Sequence, residues 1–175
     1  MRIFLNIILI ILLSVVQLSF VSVLPGPLAS LNLILVIFVF ILVLGGLRLG
    51  LWWAFGTGLV MDALSFSPFG SYVLSLTLTV AAVDFLLHNF FTNRSLYSFL
   101  ALTFFFTLIF RLVFYLVGLI AQIFGNDQFS LINFHLWVSL AGEIALNLLA
   151  ALIIFYLLNF LNKKLSPVFL VKKKF

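Results

Sequence analysis

The sequence predicts an all-α integral membrane protein of six transmembrane helices with both termini on the cytoplasmic side. Three observations predict it. Of the 175 residues, 66% are hydrophobic and 7% are charged, against about 45–50% and about 25% in soluble domains. The apolar residues fall into six continuous runs, at about 20 residues per crossing. The charges segregate, so that one side collects Arg2, Arg48, Arg94, Lys163, Lys164, Lys172, Lys173 and Lys174, while the opposite loops hold Asp127 and no Lys or Arg. Basic residues gather on the cytoplasmic side of membrane proteins.

The runs follow in order, each closed by its breaker. The first is Ile3–Leu24, stopped by Pro25-Gly26-Pro27; it is too long for a signal core and lacks a small-x-small cleavage site, so it reads as a retained span. The second is Leu31–Leu44, stopped by Gly45-Gly46 and Arg48, and the third is Leu49–Leu64, stopped by Ser65–Gly70. The fourth, fifth and sixth are Ser71–Leu87, Leu96–Phe124 and Phe134–Leu161. Unbroken apolar runs are not the alternating pattern of a membrane β-barrel. The organisation is therefore a membrane domain over 1–164 and a short basic cytoplasmic tail over 165–175. Trp52 and Trp53 belong at the inner interface, where indoles favour the headgroup region.

Composition excludes several functions. The chain has no cysteine, hence no disulfide, thiolate metal site or cysteine nucleophile. The net charge of +5 is placed as topology signals are and does not call for nucleic acid. No P-loop, Rossmann fingerprint, zinc signature or catalytic-triad spacing occurs, so neither cofactor nor catalysis is expected. Asp84 and His88 stand one turn apart on one face, which suits a hydrogen bond and is too few ligands for a metal.

Charges within spans are costly and mark candidate sites. Rise along a helix sets their depth at about 1.5 Å per residue. From Arg48, Arg94 and Lys163, this puts Asp62, Arg111 and Glu143 at about 21, 25 and 30 Å, all in the outer half of the bilayer. Asp84 lies lower, at about 15 Å. The fifth and sixth runs are antiparallel neighbours, so Arg111 and Glu143 can pair, with Asp62 and with Asn147, one turn from Glu143, as candidate company. The cluster either locks the helices together or lines an outward-facing polar pocket.

A ladder of small residues spaced by four, Gly46, Gly50, Ala54 and Gly58, leads from the breaker through the third run. Such spacing lets helix backbones approach closely in lipid. Because it drifts about 40° per step, Gly50, Ala54 and Gly58 are expected to dock on one neighbour, within the chain or on another protein, while Asp62 points elsewhere.

These residues are what the chain shares with a known family. A second apolar span, a Gly-rich turn and third span (Gly45–Gly58), an acid one turn past a glycine (Gly58 to Asp62) and Pro68-Phe69-Gly70 make it resemble the rod-shape-determining MreD family. Gly56, Gly58, Asp62, Pro68 and Gly70 carry the pattern, over about 40 residues from Leu31 to Gly70. Where the family's second span often opens on Pro and an acid or Asn, this chain has Ser30-Leu31-Asn32, leaving Asn32 alone to correspond. The resemblance implies a non-enzymatic component of the cell-wall elongation complex in the bacterial inner membrane. It would pair with the single-span MreC protein and, through it, link MreB filaments to peptidoglycan synthases. It also implies a fold similar to the substrate-binding subunits of energy-coupling-factor transporters. That similarity supplies the competing expectation, a vitamin-binding transporter subunit. A membrane-embedded enzyme acting through Asp62 or Glu143 has the least support.

Overall fold

A computed structural model describes residues 2–65, 67–91, 95–123 and 135–162. Among these, all regular structure is helical: α1 (Arg2–Ser19), two 3-10 turns (Val21–Val23 and Gly26–Ser30), α2 (Leu33–Leu64), α3 (Ser71–Asn89), α4 (Leu96–Ile123) and α5 (His135–Asn162). By length and composition, α2, α3, α4 and α5 can each cross a membrane, and α1 adds a shorter apolar stretch, Phe4–Ser19. The expected tail over 165–175 lies outside the described residues.

Two boundaries differ from the sequence expectation. The first helix ends at Ser19 rather than Leu24. Proline explains only the last residue of that difference: Leu24, before Pro25, is extended at φ −61°, ψ 141°, as the pre-proline position prefers. The earlier stop is set by the return of the chain. The Gln17 carboxamide donates to the Leu31 carbonyl at 3.0 Å and accepts from the Leu33 N–H at 2.9 Å, so the connection must turn back inside Phe20–Ser30.

The second difference is that the expected second and third runs form one element, α2, broken at Gly46. Gly46 takes φ 76°, ψ 177°, a region essentially reserved for glycine. The break reverses the chain. A straight helix would put eight residues about 12 Å apart along its axis, yet a Cβ on Gly50 would lie 3.0 Å from the Leu42 side chain. Likewise Asn32 and Met61, at the two ends of α2, line the same cavity. The element is a helical hairpin of two antiparallel arms, with Arg48 beside its tip.

The first arm is the centre of the bundle. Its Ile34, Leu35, Val36, Phe38, Val39, Phe40, Leu42 and Val43 are all buried, with Ile37, Ile41 and Leu44 left as its one open stripe; a helix apolar on every face belongs inside. Phe38 packs on Phe106 of α4 with ring centroids 6.1 Å apart, Phe40 on Phe99 of α4 at 4.9 Å, and Phe99 on Phe155 of α5 at 5.4 Å. The outward surface is apolar too: Leu5, Phe55, Phe85, Leu112, Ile153 and Phe160 are exposed. A soluble fold does not leave such a surface to water.

The second arm carries the small-residue ladder, and its docking is intramolecular. A Cβ on Gly58 would sit 2.6 Å from the Val73 Cα of α3, one on Gly50 would meet Val80 of α3 at 3.2 Å, and Ala54 is fully buried. Of the expected docking face Gly50, Ala54 and Gly58, the two glycines pack against α3 within the chain. Gly56 points the other way, where a Cβ would meet Ile10 of α1 at 3.0 Å.

Candidate functional site: a polar latch at one end of the bundle

The chemistry-bearing residues converge at the end of the bundle opposite Arg48. The two ends of α2 and the start of α3 meet there, because the α2 hairpin returns both its termini to the same level.

The centre is the pair between α4 and α5. Arg111 donates through Nε to Glu143 Oε2. The Glu143 side chain is 1% exposed and that of Arg111 is 38% exposed, so the anion is the buried member and the cation the accessible one. A carboxylate this buried needs further donors. Asn32 provides one, its Nδ2 lying 3.4 Å from Glu143 Oε1.

Asn32 also starts α2. Its Oδ1 accepts from the Leu35 N–H at 3.4 Å, capping the helix. Its own N–H donates to Asn147 Oδ1 at 2.8 Å. Asn147, fully buried one turn from Glu143, donates through Nδ2 to Thr107 Oγ1 at 3.0 Å, and the Thr107 hydroxyl donates to the Thr103 carbonyl at 2.9 Å. Since Gln17 holds Leu31 and Leu33 on either side of Asn32, four helices are tied through one residue: α1, α2, α4 and α5. In lipid, with no water to compete for these groups, a satisfied network of this kind fixes helix register.

Asp62 stands apart from that pair. Its Oδ1 accepts from the Tyr72 N–H at 2.9 Å and its Oδ2 from the Val73 N–H at 3.1 Å. The reason lies in the turn. Gly70, the residue before α3, adopts φ 94° and has no side chain to cap with. The Tyr72 and Val73 N–H groups in the first turn of α3 are therefore left without local partners, and a carboxylate near the positive end of the helix dipole satisfies both. Asp62 was expected to point away from the ladder's neighbour; it reaches the same helix instead. The contacts step down both helices together, Gly50 with Val80 and then Gly58 with Val73, so α3 follows the stripe as it drifts. Pro68 completes the turn by accepting the Ser71 N–H at 3.1 Å.

A cavity of about 180 Å³ opens beside the latch. Arg111, Gln17, Asn32 and Tyr72 contribute its polar groups, and Phe110 and Phe114 its wall. Of the residues expected in a polar pocket, Arg111 lines it, whereas Glu143 and Asn147 are buried behind it and Asp62 is turned to α3. Tyr72 packs on Phe114 with ring centroids 4.9 Å apart and planes tilted by 53°.

Asp84 and His88 lie at the far end of α3, where His88 Nδ1 is 3.3 Å from Asp84 Oδ2 and 3.0 Å from the Asp84 carbonyl. They take no part in the latch. Among the described residues no three His, Cys, Asp or Glu side chains gather as metal ligands do.

Sequence reasoning missed Gln17 and Thr107 and saw Asn32 only as a family position. A lone carboxamide in an apolar run (Gln17) and a hydroxyl one turn before an intramembrane arginine (Thr107) were the available signals.

A family model described as rod shape-determining protein MreD matches residues 1–164 of the chain. Neither a curated protein nor a solved structure matches it.

Proposed function

The chain belongs to the MreD family of rod shape-determining proteins, and from that premise we propose that it is a non-enzymatic, multi-pass component of the bacterial cell-wall elongation complex. It sits in the inner membrane and crosses it six times, with each arm of the α2 hairpin as one crossing, in an arrangement like that of energy-coupling-factor substrate-binding subunits. It pairs with an MreC-like single-span protein and through it couples MreB filaments to peptidoglycan synthases.

The observation that carries this reading is the family match over nearly the whole chain. The geometry supports a scaffold rather than a catalyst. Two of the three buried carboxylates among the described residues spend their oxygens on structure, Glu143 on Arg111 and Asn32 and Asp62 on the α3 backbone; the third, Asp84, faces His88 at the far end of α3. With the ladder used internally, the partner's helix needs another seat. An apolar groove of about 380 Å³ between the α2 hairpin tip and α5, lined by Ile37, Ile41, Leu44, Leu49, Ile154 and Leu158, is the place we assign it.

Affinity purification of the tagged protein from its own host tests the pairing. Recovery of the MreC-like protein, and its loss in Leu44→Trp or Ile154→Trp chains that still insert, is the expected result. Undiminished recovery with both variants would move the seat elsewhere, and no recovery from intact membranes would reject the pairing.

A further inference from the structure

The cavity beside the latch has a chemical bias that the scaffold role does not use. Its amide oxygens are engaged by backbone N–H groups: Gln17 Oε1 by Leu33 and Asn32 Oδ1 by Leu35. The two nearby carboxylates face away, Glu143 behind the cavity and Asp62 onto α3. What the cavity presents is a guanidinium, with five N–H donors of which Nε–H goes to Glu143, together with the amide groups of Gln17 and Asn32, each of which already donates one N–H, to the Leu31 carbonyl and to Glu143 Oε1. It is therefore a recess of hydrogen-bond donors in which the Arg111 charge is balanced by Glu143 from behind. Beside the guanidinium runs an aromatic wall, with Tyr72 on Phe114 at 4.9 Å and Phe114 on Phe110 at 5.8 Å. Guanidinium is the side chain best matched to phosphate oxygens.

The volume of about 180 Å³ falls below the roughly 300–1,000 Å³ of pockets that enclose drug-sized ligands. The recess suits one small anionic group rather than a whole vitamin. We propose that this cavity is a binding site for a single phosphate group, carried by a lipid headgroup or by a free phosphate ester, with Arg111 as its seat and the aromatic wall beside its apolar portion. This goes beyond the shape-complex reading and does not depend on it.

Thermal unfolding of the purified full chain in detergent tests it, with three additives: phosphatidylglycerol, diacylglycerol as a phosphate-free tail, and glycerol phosphate. Phosphatidylglycerol should raise the melting temperature by about 3 °C or more and diacylglycerol should not. A rise with glycerol phosphate as well makes the free ester sufficient; no rise with it assigns the site to lipid. Two variants localise the effect. Arg111→Gln/Glu143→Gln removes both charges together and keeps a hydrogen-bonding pair. Leu18→Trp fills the cavity and leaves the ion pair intact, so it covers the case in which the double variant fails to fold. Loss of the rise in the folded variants supports the site. An equal rise in them, or no rise in the wild-type chain with either phosphate compound, overturns it.

Discussion

At the residue scale, Glu143 and Asp62 look alike in the sequence, each an acid in an apolar run, and the structure gives them different work. Glu143 neutralises a cation across two helices. Breaking a buried pair from one side costs about 3–5 kcal/mol because it strands the other charge. Glu143→Ala and Arg111→Ala should therefore each lower the melting temperature sharply, while Arg111→Gln/Glu143→Gln should be milder than the sum of its singles, as a double-mutant cycle reads. Additive singles would mean no coupling. Asp62 caps a helix that Gly70 cannot cap. Asp62→Asn keeps one acceptor and loses the charge, and should cost about 1 kcal/mol; Asp62→Ala should cost more, and unfolding of the purified variants orders the two. The pairing of Arg111 with Glu143 was legible from similar depth on two runs that are sequential and antiparallel. Asn32 and Gln17 were not, because a neutral amide near a loop adds neither charge nor periodicity to the sequence.

At the element scale, the α2 hairpin decides what the rest can do. Its tip rests on Gly46, where a Cβ would meet nothing within 4 Å and the cost of a side chain is purely conformational. Gly46→Ala should cost about 1–3 kcal/mol from backbone strain. Gly58→Leu acts oppositely, in normal helical backbone but against the Val73 Cα, and should cost about 3 kcal/mol or more by overpacking. Gly142, helical and facing open space, is the control: Gly142→Ala should be neutral or stabilise by up to about 1 kcal/mol. The same denaturation series reads all three. The breakers at Gly45-Gly46 were visible in the sequence, and so was the small-residue ladder. The direction of Asp62 was not, since helical drift was reckoned on one helix while α3 follows the stripe.

At the scale of the whole molecule, the hairpin brings Asn32 and Met61 to one end and sends Arg48 to the other. The chain has no cysteine, so single cysteines report sidedness directly. Leu28→Cys and Ser67→Cys should react with an impermeant thiol reagent from outside intact spheroplasts. Leu47→Cys and Asn89→Cys should react only after the membrane is opened. If Leu28 and Ser67 fell on opposite sides, α2 would cross once and the six-crossing arrangement would fail. The apolar runs and charge segregation made the membrane class readable. The six runs reappear as five helices because two glycine-separated runs remain one hydrogen-bonded element around a single non-helical residue.

The central claim is that this membrane scaffold maintains cell shape, with the polar latch holding its helices in register. Depletion of the protein in its own host, followed by microscopy and rescue with the wild-type, Glu143→Ala and Arg111→Gln/Glu143→Gln chains, tests it most directly. The account predicts that depleted cells round up, that the wild-type chain restores their shape, and that the double variant rescues better than Glu143→Ala. Cells that keep an unchanged rod shape after complete loss of the protein would contradict it.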